Sequence, residues 1–140
     1  MTKKTVYESA FCRVDFEEAH RLMTILWNEN CQEILVEELL PKAEEIAGLS
    51  YLYTPTISIS DMRFVPVIDP ESQAWLDKNL TPIYVSNGLR KSAMIVRSED
   101  FSLENLSFEQ LMEDTEISGE IRYRFFKYME DARTWVLQKN

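Results

Sequence analysis

The sequence predicts an α/β domain in which helices pack on a mixed β-sheet and cross over between its strands. Three observations in one stretch of the chain carry this prediction. Residues 56–60 (TISIS) alternate polar and apolar side chains, the period of a strand with one buried face. Asp69 followed by Pro70 is a preferred helix start, and Gly88 marks the end of that helix. Residues 92–96 then form a second apolar strand, which a helical crossover makes parallel to the first.

The chain before this unit predicts three strands. Residues 6–9 and 11–16 are short strand candidates with apolar and aromatic side chains. Residues 20–27 form a longer candidate that follows a short acidic turn. We expect this third strand to pair with the second in an antiparallel hairpin.

A first helix is predicted after these strands. Asn30 is its expected N-cap, with Glu33 three residues later in capping-box spacing. Pro41 lies inside the helical pattern and is expected to kink or shorten the helix, while Gly48 is the expected C-cap. The predicted apolar stripe consists of Leu35, Leu39, Ala43 and Ile46.

The second helix and the C-terminal elements complete the order. Pro82 predicts a bend or break in the second helix near Lys78. A short helix is expected over residues 102–114, a last strand over 121–126 and a closing helix over 129–137. The predicted buried side of the second helix consists of Trp75, Leu76, Leu80, Ile83 and Tyr84.

The length predicts a single domain spanning residues 1–140, and the N-terminal residues lack the apolar core of a signal peptide, which predicts a cytoplasmic location. The formal charge of −9 repels phosphate backbones and argues against nucleic-acid partners or an anionic membrane surface. No window approaches the ~20 apolar residues of a transmembrane helix, so no membrane insertion is expected. The two cysteines, Cys12 and Cys31, form no CxxC motif and are expected to be buried free thiols.

Scattered positions along the chain match a known family. They are Asp61, Met62 and Arg63 after the central strand, residues 70–76, Pro82, residues 88–91, the strand at 93–96, Phe126 and residues 131–136. Over residues 7–137, the chain resembles the small bacterial SpoIIAA-like, or STAS-like, domains, particularly the stand-alone type of Bacteroidetes. The resemblance implies a single STAS-like domain whose helices pack on a mixed sheet.

The resemblance also implies a non-enzymatic regulatory or interaction module. Some STAS-like domains act in partner switching, in which a serine just after the central strand is phosphorylated. Others are thought to bind nucleotides or apolar small molecules. Here Met62 and Arg63 follow Asp61, so the position that the switch requires has no hydroxyl group to modify.

Asp61 and Arg63 are the sharpest pair of candidate site residues. They follow the central strand at its carboxyl end, where open α/β sheets place their ligands. Two residues apart, the Asp61 carboxylate can bind and orient the Arg63 guanidinium. As a site, the pair would present a fixed cation to an anionic ligand, close to Asp69 and the N-terminus of the second helix. As structure, it would only tie the loop together, and the sequence leaves both interpretations open.

The loop that contains Arg63 is unusually apolar. Six of the seven residues from 62 to 68 are apolar: Met62, Phe64, Val65, Pro66, Val67 and Ile68. Such a run outside a regular element predicts either a buried lid over a pocket or an exposed contact surface.

Catalytic and metal chemistry has little support in the sequence. His20 is the only histidine and is expected at the surface, and one histidine with two distant cysteines does not make a zinc site. Asp61 and Asp69 form an acid pair without a recognisable nucleophile or oxyanion hole. The sequence therefore predicts no enzymatic activity, metal or cofactor.

Three functional hypotheses follow. The first is an interaction module that binds a protein partner or itself through residues 61–68 and the flanking helix. The second is a carrier or sensor of a small apolar ligand, with Arg63 meeting an anionic head group. The third is an enzyme with an unrecognised acid–base pair. A pocket lined by Met62, Phe64 and Trp75 would favour the second hypothesis, and a flat, exposed apolar loop the first.

Overall fold

The computed structural model describes residues 3–66, 68–97, 116–118 and 121–139. The strands of this part of the chain are β1 (Lys3–Glu8), β2 (Cys12–Glu17), β3 (Leu22–Trp27), β4 (Ile57–Asp61), β5 (Lys91–Ile95), β6 (Glu116–Ser118) and β7 (Ile121–Phe126). They form one seven-stranded sheet in the order β1-β2-β3-β4-β5-β7-β6. The pairs β1–β2, β2–β3 and β6–β7 are antiparallel, whereas β3, β4, β5 and β7 run parallel. The predicted α/β class with a mixed sheet is confirmed.

The helices connect and cover these strands. They are a 3₁₀ helix (Glu29–Glu33), α1 (Val36–Gly48), α2 (Ser50–Tyr53), α3 (Pro70–Asn79), α4 (Thr81–Ser86) and α5 (Met129–Leu137). The closing helix has the predicted bounds, and the helix predicted over residues 102–114 lies outside the described residues. None of the helices in the described ranges has the length and apolar character needed to cross a bilayer.

The start of the first long helix differs from the prediction. Asn28, not Asn30, caps a 3₁₀ helix, since its side chain accepts a hydrogen bond from the Asn30 backbone N–H at 2.9 Å. Cys31 and Ile34 are buried and hold this turn against the core, so α1 begins only at Val36. The predicted capping box at Asn30 is therefore wrong.

Three other predictions about the first helix concern Leu35, Pro41 and Gly48. Leu35 stands just before the first helical turn and is 58% exposed, so its predicted place in the buried stripe is wrong. Pro41 lies inside α1, and the helix continues past it to Gly48, so Pro41 does not end the helix. Gly48 is the last helical residue, and the C-cap is Leu49 in a right-handed conformation, so a glycine cap is not used there.

The second helical segment follows its sequence signals closely. The Asp69 side chain accepts a hydrogen bond from the Ser72 backbone N–H at 2.7 Å, and Pro70 occupies the first helical position, as predicted. Leu80 separates α3 from α4, and Pro82 lies in the first turn of α4. The predicted break is confirmed at Leu80, where Pro82 begins a new helix because it cannot donate to the preceding turn.

Successive side chains of each strand point to opposite faces of the sheet, and each face has its own apolar cluster. On the face covered by α1, which we call the α1 face, the buried cluster includes Val14, Phe16, Met23, Ile25, Trp27, Leu39, Ile46 and Val65. On the face covered by α5, the α5 face, it includes Leu22, Ile59, Ala93, Ile95, Phe126, Ala132, Trp135 and Val136. Because α3 and α4 contact α1, they also lie over the α1 face.

Candidate functional site

A groove with a volume of about 550 Å³ lies on the α1 face, between the parallel strands and the second helical segment. Its floor is made by β4, β5 and β7. In the sheet register, Ser58 is opposite Ser92, and Ser92 is opposite Tyr123; one rung further, Met94 lies between Ser60 and Phe125. These six side chains all line the groove.

The walls of the groove are mainly apolar. The helical wall is formed by Leu76, Leu80, Thr81 and Tyr84, and the opposite wall by Ile25, Met62, Val65, Pro66 and Ile68. Of these wall residues, Ile25, Val65 and Leu80 are buried, and the others are partly exposed. The arrangement is a concave apolar surface that a small molecule can enter from one side.

The apolar loop forms part of this wall. Val65 is 4% exposed, and Met62, Phe64 and Ile68 are partly buried against the core cluster of the α1 face. Val67 lies outside the described residues. The described part of the loop therefore packs against the core and forms one wall of the groove. It is not a flat, exposed apolar surface.

Eight of the twenty described lining residues have polar side chains, and four of these are hydrogen-bonded to one another in pairs. The Ser58 hydroxyl donates to the Ser92 hydroxyl at 3.0 Å beneath the floor. Gln73 donates from Nε2 to Asp77 Oδ1, also at 3.0 Å, at the exposed rim. These contacts leave the interior of the groove mainly apolar.

Two tyrosines contribute hydroxyl groups, Tyr84 from the helical wall and Tyr123 from the floor. Burial raises the pKa of the Tyr123 phenol, the Asp77 charge raises it further, and a hydrogen bond with Thr81 acts in the opposite direction. Burial also raises the pKa of the Tyr84 phenol well above its ordinary value. Both hydroxyls therefore stay protonated at neutral pH and are available to donate hydrogen bonds.

The predicted pair of Asp61 and Arg63 is formed, but it lies away from the groove. Arg63 donates from Nε to Asp61 Oδ1 at 2.9 Å and from Nη2 to Oδ2 at 2.7 Å. Because Ser60 faces the groove, Asp61 points to the opposite face of the sheet. The hydrogen bonds from Arg63 to Asp61 raise the pKa of the Arg63 guanidinium, as expected for a cation held by a carboxylate.

Of the six residues predicted from the sequence, only Met62 is among those that line the groove. Phe64 packs against the core cluster, and Trp75 is partly buried on α3, but neither lines the groove. Asp69 is exposed, and its two carboxylate oxygens accept hydrogen bonds from the backbone N–H and the hydroxyl of Ser72. This capping role lowers the pKa of Asp69, the backbone hydrogen bond from Ser72 being the main cause.

The groove residues that the sequence did not single out are Ser58, Ser60, Ser92, Tyr84 and Tyr123. A signal was present for the three serines, since Ser58 and Ser60 occupy the polar positions of an alternating strand and Ser92 is the one polar residue of an apolar strand. Serines inside strands that are buried on both faces indicate that one face contains polar or open space. Tyr84 was predicted to lie on the buried side of its helix, but nothing in the local sequence marks it as a binding residue.

Metal-binding and redox chemistry have no arrangement that would support them in the described ranges. No group of three or more His, Cys, Asp and Glu side chains capable of holding a metal occurs among those residues. Cys12 and Cys31 are buried free thiols, as predicted, and burial raises the pKa of Cys12 to about 12. Such a thiol remains protonated and is a poor nucleophile. His20 is exposed, as predicted.

Comparison with known proteins adds no family assignment. No family model matches the chain, and no curated protein or solved structure matches it. The STAS-like resemblance stays a prediction.

Proposed function

We propose that this protein is a non-enzymatic binding module that carries or senses a small, largely apolar molecule in the groove of the α1 face. The observation that carries the proposal is the groove itself. Its volume of about 550 Å³ lies within the range of about 300–1,000 Å³ that is usual for small-molecule sites. Its walls are mainly aliphatic and aromatic, with a few hydroxyl groups, which is the usual composition of such sites.

The position of the loop supports this proposal over binding through residues 61–68. Partner binding through that segment requires apolar side chains that reach solvent together. Val65 is instead buried, and Met62 and Ile68 line the groove beside it. A loop packed in this way shapes a pocket and leaves little apolar surface for a second protein.

A second candidate function, binding of a protein partner or a second copy, is favoured by a different surface. Tyr51 and Leu52 on the short helix α2 are 64% and 74% exposed, which is unusual for large apolar side chains placed next to each other. Leu52→Asp, compared with the exposed change Gln32→Asp, tests this candidate by sedimentation velocity. Loss of a wild-type dimer only in Leu52→Asp would support it, and a wild-type monomer would argue against self-association.

Titration with N-phenyl-1-naphthylamine, an uncharged apolar fluorophore, tests the proposed groove directly. Ser60→Leu places a larger apolar side chain on the groove floor, whereas Ser86→Leu makes the same change at an exposed position of α4. We expect saturable binding to the wild type and to Ser86→Leu, and at least tenfold weaker binding to Ser60→Leu.

Two results would contradict the proposed function. One is the absence of saturable binding to the folded wild-type protein, and the other is equal binding to both leucine variants. Native mass spectrometry of the purified protein, followed by denaturing extraction, would show whether a small molecule is bound to it.

A further inference from the structure

We infer that the groove selects an uncharged ligand with one hydrogen-bonding end, and that the Tyr84 hydroxyl binds that end. This inference rests on the proposed function and deepens it by naming the ligand class and the residue that orients the ligand. It follows from the charges around the groove and from the hydrogen bonds that its polar groups have already formed.

The charges around the groove oppose an anionic ligand. Asp77 is the one charged side chain among the described residues that line it. No Lys or Arg lines the groove in the described part of the chain, and the Arg63 guanidinium is bound to Asp61 on the other side of β4. An anion in this groove would lose its hydration without gaining a cationic partner, which is a large energetic cost.

A cationic ligand would gain little from Asp77 to offset the loss of its own hydration. Asp77 is exposed at the rim and already accepts a hydrogen bond from Gln73. An ion pair at such a solvated position contributes little to affinity. The interior offers apolar walls and hydroxyl groups, so the ligand that fits it best has no charge.

Tyr84 supplies a polar group without a partner. Among the described residues, no hydrogen bond is formed by its hydroxyl, whereas the Tyr123 phenol has the Thr81 side chain beside it, which lowers the Tyr123 pKa. Every fully buried side-chain nitrogen or oxygen in this part of the chain has a partner, so the Tyr84 hydroxyl must keep contact with open space. Tyr84 lines the groove, and the groove is the open space available to it.

The other hydroxyl groups compete poorly for the ligand. Ser58 and Ser92 are hydrogen-bonded to each other, and a ligand would have to break that bond. Ser60 and Thr81 are lining hydroxyls without a described hydrogen bond, but Ser60 lies on the floor beside Met94 and Phe125, and Thr81 lies beside Tyr123. A phenol in an apolar wall donates a directed hydrogen bond at little entropic cost, since the ring has few rotatable bonds.

Two matched pairs of probes test the inference. The first pair is N-phenyl-1-naphthylamine and 8-anilinonaphthalene-1-sulfonate, which share a ring skeleton and differ in the anionic sulfonate. We expect the sulfonate to bind the wild type at least tenfold more weakly. The second pair is 1-naphthol and 1-methylnaphthalene, which differ in a hydroxyl and a methyl group of similar size and are measured by displacement of N-phenyl-1-naphthylamine.

Tyr84→Phe removes the hydroxyl and keeps the ring. We expect it to weaken 1-naphthol binding about threefold to tenfold, the value of one neutral hydrogen bond, and to change 1-methylnaphthalene binding less than twofold. Tyr123→Phe is the matched control, since it removes the same group from the groove tyrosine whose hydroxyl has Thr81 beside it. Equal thermal unfolding of the two variants and the wild type shows that the comparison is made on folded protein.

The outcomes separate this inference from the proposed function. If no probe binds the wild type, both are overturned. If N-phenyl-1-naphthylamine binds and the sulfonate binds equally well, the charge selectivity is overturned while the groove remains a binding site. If Ser60→Ala, and not Tyr84→Phe, removes the preference for 1-naphthol, the assignment of Tyr84 is overturned.

Discussion

The Arg63 guanidinium and the Asp61 carboxylate form a two-point ion pair at the end of β4, with distances of 2.9 Å and 2.7 Å. The Arg63 backbone N–H also donates to the same carboxylate, at 3.2 Å. The Asp61 side chain is 8% exposed and that of Arg63 is 48% exposed, so the carboxylate is the buried partner. The pair fixes the direction in which the chain leaves the strand and enters the apolar loop.

Replacing Arg63 by alanine is expected to destabilise the protein and leave the groove intact. Arg63→Ala removes the charged partner of a buried carboxylate, for which we expect a loss of about 1–2 kcal/mol in the free energy of unfolding. Urea denaturation measures this loss, with Arg90→Ala, at an exposed position, as the control. Affinity for N-phenyl-1-naphthylamine should change less than twofold. A large loss of affinity in a folded Arg63→Ala protein would instead support a direct role of Arg63 in ligand binding.

The ion pair between Glu17 and Arg133 predicts a dependence of stability on pH. Two hydrogen bonds of 2.6 and 2.8 Å join the guanidinium in α5 to the carboxylate at the end of β2. Together they lower the pKa of Glu17 below its ordinary value of 4.5. A depressed carboxylate pKa in the folded state adds stability above the unfolded pKa, and this stability is lost as the pH falls through the folded value.

Glu17→Gln should therefore flatten the acid limb of the stability curve. We expect a loss of at most about 1 kcal/mol at pH 7, since Arg133 is 41% exposed. The difference between Glu17→Gln and the wild type should shrink as the pH is lowered from 5 to 3, as measured by urea denaturation. Glu18→Gln, at the exposed neighbouring position, should leave the slope unchanged. Identical slopes for Glu17→Gln and the wild type would contradict this prediction.

Lys91 is a buried lysine that connects β5 to the end of α5. Its Nζ donates to the carbonyl oxygen of Trp135 at 2.6 Å and to that of Gln138 at 3.1 Å, and it lies 4.6 Å from the Trp135 ring centroid. Burial lowers the pKa of Lys91, so the ammonium is held against a desolvation cost by these carbonyl groups. A cation at this position also interacts favourably with the C-terminal end of the helix dipole.

Lys91→Met tests whether these hydrogen bonds outweigh the cost of burying the charge. Methionine keeps an unbranched side chain of similar length and leaves the two carbonyl groups without their donor, for which we expect a loss of about 1–3 kcal/mol. Lys78→Met, at an exposed position of α3, should change the free energy of unfolding by less than about 0.5 kcal/mol. A Lys91→Met variant as stable as the wild type would show that the charge contributes nothing net.

The sequence predicted the elements whose boundaries are set by local chemistry. Asp69 and Pro70 predict the start of α3, and Pro82 predicts the break that follows it, because each of these signals acts on residues close to it in the sequence. The start of α1 was missed because Cys31 and Ile34 are fixed by burial in the core, which no local signal near Asn30 reports. The strand β6 was missed because it has only three residues, too few to show a periodic pattern.

The groove depends on which strands are neighbours in the sheet. Ser58, Ser92 and Tyr123 lie on three strands that are far apart in the sequence, and only the order β4-β5-β7 places them side by side. The sequence did identify the loop that forms one wall, through Met62 and its apolar neighbours. Sequence-based reasoning put too much weight on Asp61 and Arg63 as binding residues. A charged pair at a strand end can bind a ligand or can only anchor the loop, and the two roles look the same in the sequence.

Two glycines without close neighbours form a matched pair for a final prediction. Gly88 has φ +107°, a conformation that other residues adopt only with strain, whereas Gly48 ends α1 without a positive φ. A Cβ added at either position meets no atom within 4 Å, so packing does not differ between them. We expect Gly88→Ala to lower the free energy of unfolding by about 1 kcal/mol or more, and Gly48→Ala to raise it by about 0.4–1 kcal/mol. Thermal and urea unfolding of the two variants measure both signs. A destabilised Gly48→Ala protein would show that the chain requires the conformational freedom of glycine at the end of α1 after all.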